Sequence, residues 1–282
     1  MSGGLWQDAR DALRRDRVAI ACAAILATLA LAAAIGPAVL DYREDEIDWA
    51  HMAAPPFGAS GHWLGTDRLG RDLLVRTLHG LRVSLSIAVA ATLVALLIGV
   101  AWGAFAGYRR GRTDALMMRF VDVLYSLPQV FFVIILTVVF GRGPLTILLA
   151  IGAFGWLTMA RIVRGQALAL REREFIDAAI VGGATTGRIV MRHVIPNLIG
   201  PVIVYATLTL PQVILVESFL SFLGIGVQEP LASLGGLIAD GAAEMETAPW
   251  MLAAPAACLM GVVFCFNFLG DSLRDALDPR DR

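Results

Sequence analysis

Residues 83–108 read VSLSIAVAATLVALLIGVAWGAFAGY, with Arg82 before them, Arg109 after them and no charge between. A helix crosses a bilayer with about 20 consecutive apolar residues, and this stretch is longer than that. Working outward, five more stretches have the same character: 18–40, 123–141, 143–160, 194–216 and 247–270. None holds a charged residue, and only Gly141-Arg142-Gly143-Pro144 separates the third span from the fourth. That spacing predicts a tight turn between antiparallel helices. The run at 18–40 exceeds the roughly 7–15 residues of a signal-peptide core and is expected to remain as a first span.

Composition agrees. Of 282 residues, 57% are hydrophobic and 17% charged, with a mean hydropathy of +0.71. Soluble domains carry about 45–50% apolar and about 25% charged residues. The fold class predicted is an all-α membrane protein of six transmembrane helices. A net charge of −1 gives no bulk basic field for nucleic acid. All 23 cationic side chains are Arg, which reads most simply as codon bias in a GC-rich genome. A phosphate-binding P-loop needs its Lys, so this chain does not itself hydrolyse ATP by that device.

Arginine distribution sets the expected orientation. With the N-terminus inside, inner segments hold 17 Arg and outer segments six: Arg43, Arg68, Arg71, Arg76, Arg82 and Arg142. Both ends then lie on the cytoplasmic side. The expected divisions are an inner N-terminal segment 1–17, a first span 18–40, an external loop 41–82, a five-helix core 83–270 and an inner tail 271–282. Within the external loop, 66–82 reads as an amphipathic helix along the membrane interface. Leu69, Leu73, Leu74, Leu78 and Leu81 fall on one side, with Arg68, Arg71, Asp72, Arg76, His79 and Arg82 on the other.

The second long connection, 161–196, is charged and inside. A helical stretch at 171–181 is followed by Gly182-Gly183-Ala184-Thr185-Thr186-Gly187 and a second helical stretch closed by Pro196. Ala178 and Ala179 leave a bare helix surface that another protein can approach. Gly182 or Gly183 can take positive φ at the bend, and Pro196 is expected to halt the second helix. Physically, the hairpin suits a docking element and a solvated turn equally well.

Few single residues suggest chemistry. Cys22, Cys258 and Cys265 lie in apolar runs, and His51, His62, His79 and His193 form no metal-binding motif. No catalytic site and no metal site is expected. Asp122 stands three residues after Arg119, a spacing for a local ion pair. Glu217 ends the fifth span; it either reaches the outer interface or serves the pathway or its gate. The loop at 218–246 has no Arg but carries Glu229, Asp240, Glu244 and Glu246, an acidic surface that could receive a partner.

Motifs then point to a family. Asp177-Ala178-Ala179, three residues, Gly183, nine residues and His193-Val194-Ile195-Pro196 resemble the cytoplasmic EAA loop of permeases in binding-protein-dependent ABC importers. Asp177 replaces the usual Glu, and Ile195 the frequent Leu. Four further blocks resemble the C-type subunit of the dipeptide, oligopeptide and nickel branch. These are HWLGTDRLGRD at 62–72, RGQ at 164–166 with REREF at 171–175, ESFLSFLGIGVQ at 217–228, and NFLGDSLRDALDPR at 267–280.

The resemblance implies the type I importer permease fold, with a coupling helix formed by Asp177, Ala178, Ala179, Gly182, Gly183 and Pro196. It implies a heterodimer with a second related permease, two cytoplasmic ATPases that bind ATP and Mg, and an external substrate-binding protein. This chain would need no cofactor of its own and would sit in a bacterial inner membrane. Short peptides are the expected substrate, with nickel complexes or another small solute as the alternative. A secondary transporter would want ionisable residues at mid-span and often inverted repeats, and a membrane enzyme a catalytic cluster; the sequence displays neither.

Overall fold

The computed structural model describes residues 11–58 and 61–277. Arg10, Ala59, Ser60 and the tail from Asp278 to Arg282 lie outside the described residues, and with them the end of the last motif. The described chain is helical: α1 (Arg17–Val39), α2 (Leu73–Arg109), α3 (Gly111–Tyr125), α4 (Gln129–Phe140), α5 (Pro144–Leu170), α6 (Glu174–Val181), α7 (Thr186–Ile189), a π-helical turn (Val190–Val194), α8 (Ile195–Phe222), α9 (Leu234–Ala243) and α10 (Trp250–Leu277).

Five helical stretches are long and apolar enough to cross a membrane; a sixth crossing requires α3 and α4 together, bent by 78°. The third span is therefore not the straight helix expected at 123–141. Pro128 has extended backbone at the break, and a proline disfavours helix in the residue before it. With 12 residues, α4 extends only about 18 Å, short of a bilayer core of about 30 Å. Helix α3 is amphipathic and packs Val121 against Trp156, Leu157 and Ala160 of α5.

The segment between α1 and α2 corrects another expectation. No separate helix runs along an interface at 66–82. Residues 66–72 form a closed turn, and α2 starts at Leu73 and runs unbroken into the second span. Asp72 caps it by accepting from the Val75 N–H at 2.8 Å. Gly70 has φ +81°, and a side chain there would strike the Asp48 backbone. Arg71, Asp72 and Arg76, expected on a solvated face, are buried. Thr66 ties the loop together by donating to the His51 carbonyl at 2.5 Å and accepting from the Ala54 N–H at 2.8 Å. Trp250 Nε1 of α10 donates to the Thr66 carbonyl at 3.3 Å.

The frame is built on the pairing of α2 with α5. Gly99, Gly103 and Gly107 lie one turn apart along α2. A Cβ on Gly99 would come within 2.6 Å of Met159 Cβ, and one on Gly107 within 2.6 Å of the Arg164 carbonyl; one on Gly103 would collide with the Ala160 carbonyl. Small residues let membrane helices approach until backbone meets backbone, where dispersion contacts are densest. Around this pair, Leu81, Ile87, Ile147, Ile151, Ile214 and Val262 fill a core shared by α2, α5, α8 and α10.

Candidate functional site

The hairpin between α5 and α8 carries the residues singled out by motif. Gly183 has φ +75° and closes α6. Its N–H donates to the Ile180 carbonyl at 3.0 Å, and the Ala184 N–H donates back to the Ala179 carbonyl at 3.1 Å. This crossed pair is the Schellman arrangement, which satisfies carbonyls a helix end leaves open. Gly182 keeps φ −70°, so Gly183 alone makes the bend. Thr185 then caps α7 by accepting from the Arg188 N–H.

The inner face of the hairpin seats Ile176, Ile189, Val190 and Val194 on Tyr108, Met159, Val163 and Ala167. Its outer face presents Asp177, Ala178 and Gly182 to the surroundings, with Val181 90% exposed beside them. Asp177 lies 3.7 Å from Arg171. Pro196 does not halt a helix. It occupies the first turn of α8, where its missing N–H matters little. The π-helical turn just before it bonds the Ile195 N–H to the Val190 carbonyl. The chain from Thr186 to Phe222 thus continues as one span.

Salt bridges fasten the same end. Arg164 of α5 holds Asp114 of α3 by two bonds, Nε–Oδ1 at 2.5 Å and Nη2–Oδ2 at 2.7 Å. Asp122 pairs with Arg161 at 2.8 Å, not with Arg119 as its spacing suggests. The Arg161 guanidinium also lies 4.0 Å over the Tyr125 ring. Local i,i+3 attraction is worth only a few tenths of a kcal/mol, and a better-placed guanidinium on α5 displaces it.

At the opposite end, Glu217 is fully buried within the chain, with 0% exposure. Ser221 Oγ donates to Oε1 at 2.8 Å, and Ser218 Oγ lies 3.4 Å from Oε2. Ser84 on α2 and Ser233 before α9 lie close to the carboxyl. Ser84 accepts from the Leu234 N–H at 3.3 Å. Glu217 thus sits where α8, α2 and the segment entering α9 meet. The sequence pointed to Glu217 but not to Ser84 and Ser233, which are far from it in the chain.

The acidic surface expected at 218–246 is partly spent internally. Arg71 Nη2 lies 3.0 Å from Glu229 Oε1, and its Nε 2.7 Å from Asp67. Burial dominates at Asp240 and pushes its carboxyl above the usual range, against the opposing charges of Arg76 and Arg68.

Between these ends a cavity of about 350 Å³ opens among α2, α5, α8 and the α3–α4 break. Thr92, Gln129, Thr158, Thr209 and Gln212 face it, with Tyr125 toward the hairpin end; no charged residue lines it. Glu217 is not among its lining residues, although Val216 is. The sequence signal for this site was uncharged polar residues inside otherwise apolar spans. Among the described residues no group of three or more His, Cys, Asp or Glu could hold a metal ion.

Comparison with known proteins supplies the family. The profile described as "Binding-protein-dependent transport system inner membrane component" matches residues 99–282. One described as "N-terminal TM domain of oligopeptide transport permease C" matches residues 4–56. The oligopeptide transport system permease protein OppC of Escherichia coli K12 is 52% identical over 278 residues, covering 99% of this chain and 92% of that protein. Its Haemophilus influenzae counterpart is 50% identical, covering 99% and 89%. The dipeptide transport system permease protein DppC of Bacillus subtilis is 44% identical over 277 residues, covering 98% and 86%. Among solved structures, an inward-facing form of the MetNI methionine ABC transporter superposes with a TM-score of 0.58. It has 18% identity and covers 72% of this chain and 96% of that one, which supports the type I importer permease fold. By the match over residues 99–282 and by these near full-length relatives, the chain belongs to the family of binding-protein-dependent transport system inner membrane components.

Proposed function

We propose that this chain is one permease subunit of an ATP-driven importer of short peptides. The observation that carries the reading is identity of 50–52% across 278 residues to proteins named oligopeptide permeases. Its partners are a second related permease, an external substrate-binding protein and two ATPases that bind ATP and Mg. Asp177, Ala178, Ala179, Gly182 and Gly183 form the docking surface for an ATPase. An exposed apolar tip on a hairpin seated on α2 and α5 suits that task, because movement of the tip is transmitted to two spans. Pro196 belongs to the joint between hairpin and α8. Glu217 holds the far end of α8, so displacement of that helix is passed to α9 and the outer loop. The hairpin and both termini face the cytoplasm, as the arginine bias supports.

The test is reconstitution of the chain with a partner permease, ATPases and binding protein from the same organism. Peptide-loaded binding protein should stimulate ATP hydrolysis and drive labelled tripeptide into vesicles. Stimulation by nickel complexes alone would overturn the peptide reading. For orientation, single cysteines at Thr185 and Asp45, with Cys22, Cys258 and Cys265 replaced by Ala, are labelled by an impermeant thiol reagent applied from outside. Labelling of Asp45→Cys and protection of Thr185→Cys are expected; the reverse refutes the orientation.

A further inference from the structure

The cavity among α2, α5 and α8 has an unusual balance of polarity. Its depth in the spans calls for apolar residues, yet six side chains lining it, Tyr125 included, carry hydrogen-bonding groups and none carries charge. Thr158 and Gln212 are exposed, and Gln129 and Thr209 are half-buried, so all four are within reach of a visiting group. Thr209 donates to the Tyr205 carbonyl at 2.6 Å, which leaves its oxygen free to accept. Gln129 and Gln212 supply primary amides, each both donor and acceptor.

This set matches one chemistry. A peptide main chain repeats one N–H donor and one C=O acceptor per residue, and paired amides and hydroxyls can meet both. The absence of an ionised group matters equally. A fixed charge in a low-dielectric site attracts one sign of side chain strongly and repels the other, so a charged lining would hold some peptides and exclude others. The nearest ion pair, Arg161–Asp122, lies beyond Tyr125 at the hairpin end.

Resting on the peptide-permease reading above, we infer that this cavity is this chain's share of the substrate path, where Thr158, Thr209, Gln129 and Gln212 bond the peptide main chain. Its uncharged lining makes passage indifferent to side-chain charge. Thr209 and Gln212 act on every peptide alike, because they address the part that every peptide shares.

The experiment uses the full reconstituted complex with its binding protein and measures initial uptake of Ala-Lys-Ala and Ala-Glu-Ala. The ratio of the two rates in each variant is divided by the wild-type ratio, which cancels the binding protein's own preference. Thr209→Val should slow both peptides by a common factor and leave the ratio at 1. Gln212→Glu should shift the ratio by about tenfold or more, and Thr158→Asp, on the opposite wall, should shift it in the same direction. Either acidic variant suffices if the other fails to assemble, which copurification of all subunits reports. Unchanged ratios in the assembled acidic variants would overturn the inference, as would a Thr209→Val effect on one peptide only. A wild-type complex that hydrolyses ATP on adding loaded binding protein yet imports no peptide would refute the underlying reading instead.

Discussion

Gly182 and Gly183 are adjacent at the tip of the hairpin, yet their conformations differ, and this separates backbone strain from steric crowding. Gly183 has φ +75°, and a Cβ built there would have nothing within 4 Å. Gly182 has φ −70°, where its Cβ would sit 3.3 Å from the Ala178 carbonyl, tight but on an ordinary helical backbone. An L-residue in the left-handed region costs roughly 1–2 kcal/mol, more if β-branched, and Asn tolerates it best. Gly183→Ala therefore bears only that backbone cost, and Gly182→Ala almost none. If the hairpin must hold this bend to dock, the competent fraction falls by roughly 5- to 30-fold for Gly183→Ala, and the apparent Kd rises by the same factor. The assay titrates purified ATPase onto the permease pair in nanodiscs and reads equilibrium binding. The expected order of affinity is wild type, Gly183→Asn, Gly183→Ala, Gly183→Val, with Gly182→Ala within about twofold of wild type. Equal affinities for the alanine variants at 182 and 183, or wild-type binding by Gly183→Val, would refute the reasoning.

Three more outcomes follow from the packing. Gly103→Val should destabilise the chain by about 1–3 kcal/mol through overpacking against α5, whereas Gly165→Ala, whose Cβ would meet nothing within 4 Å, should be neutral or stabilising by up to about 1 kcal/mol; unfolding in mixed SDS micelles reads both. Asp114→Asn should cost about 1–2 kcal/mol, since charged hydrogen bonds are worth about 1.5–3 kcal/mol and Arg164 remains 35% exposed. A double-mutant cycle with Arg164→Gln that gives no coupling energy would show the pair to be idle. In the loop between α1 and α2, the hydrogen bond from His51 is the main cause holding the Asp48 carboxyl below its ordinary value of 3.8. A lowered folded value means this stabilisation is complete above 3.8 and lost as pH falls through the lowered value. Hydrogen exchange of residues 43–58 should accelerate across that acid window in wild type and much less in His51→Ala; identical profiles would exclude the linkage.

Much of the site was legible, and the physical reasons are specific. The hairpin could be read because its signals are local: Gly183 fits a positive φ that other residues resist, and Ala178-Ala179 bares a helix face. Glu217 stood out because a carboxyl at the end of an apolar span is rare. Its partners were not readable, since Ser84 lies 133 residues away in the chain and meets it only when α2 packs on α8. Asp122 misled because its neighbour Arg119 was visible in sequence and Arg161 was not. Pro196 misled because the expectation of a helix stop ignored how a preceding π-helical turn rearranges the bonds around it. The spacing of Gly99, Gly103 and Gly107 was a legible packing signal that the span reading passed over.

What the sequence determined by itself is the set of apolar runs, because lipid tolerates no stretch of chain that leaves charge or backbone unsatisfied. With them came the family, through motifs quoted residue by residue. Tertiary structure alone decided that the third crossing breaks at Pro128, that Arg71 and Arg76 are buried against Asp67 and Glu229, and that Thr92, Thr209, Gln129 and Gln212 surround one uncharged cavity. Those outcomes depend on which distant side chains share a space. Apolarity fixes that a helix is in the bilayer, but the close approach of α2 to α5 and the bend between α3 and α4 fix what each helix faces there.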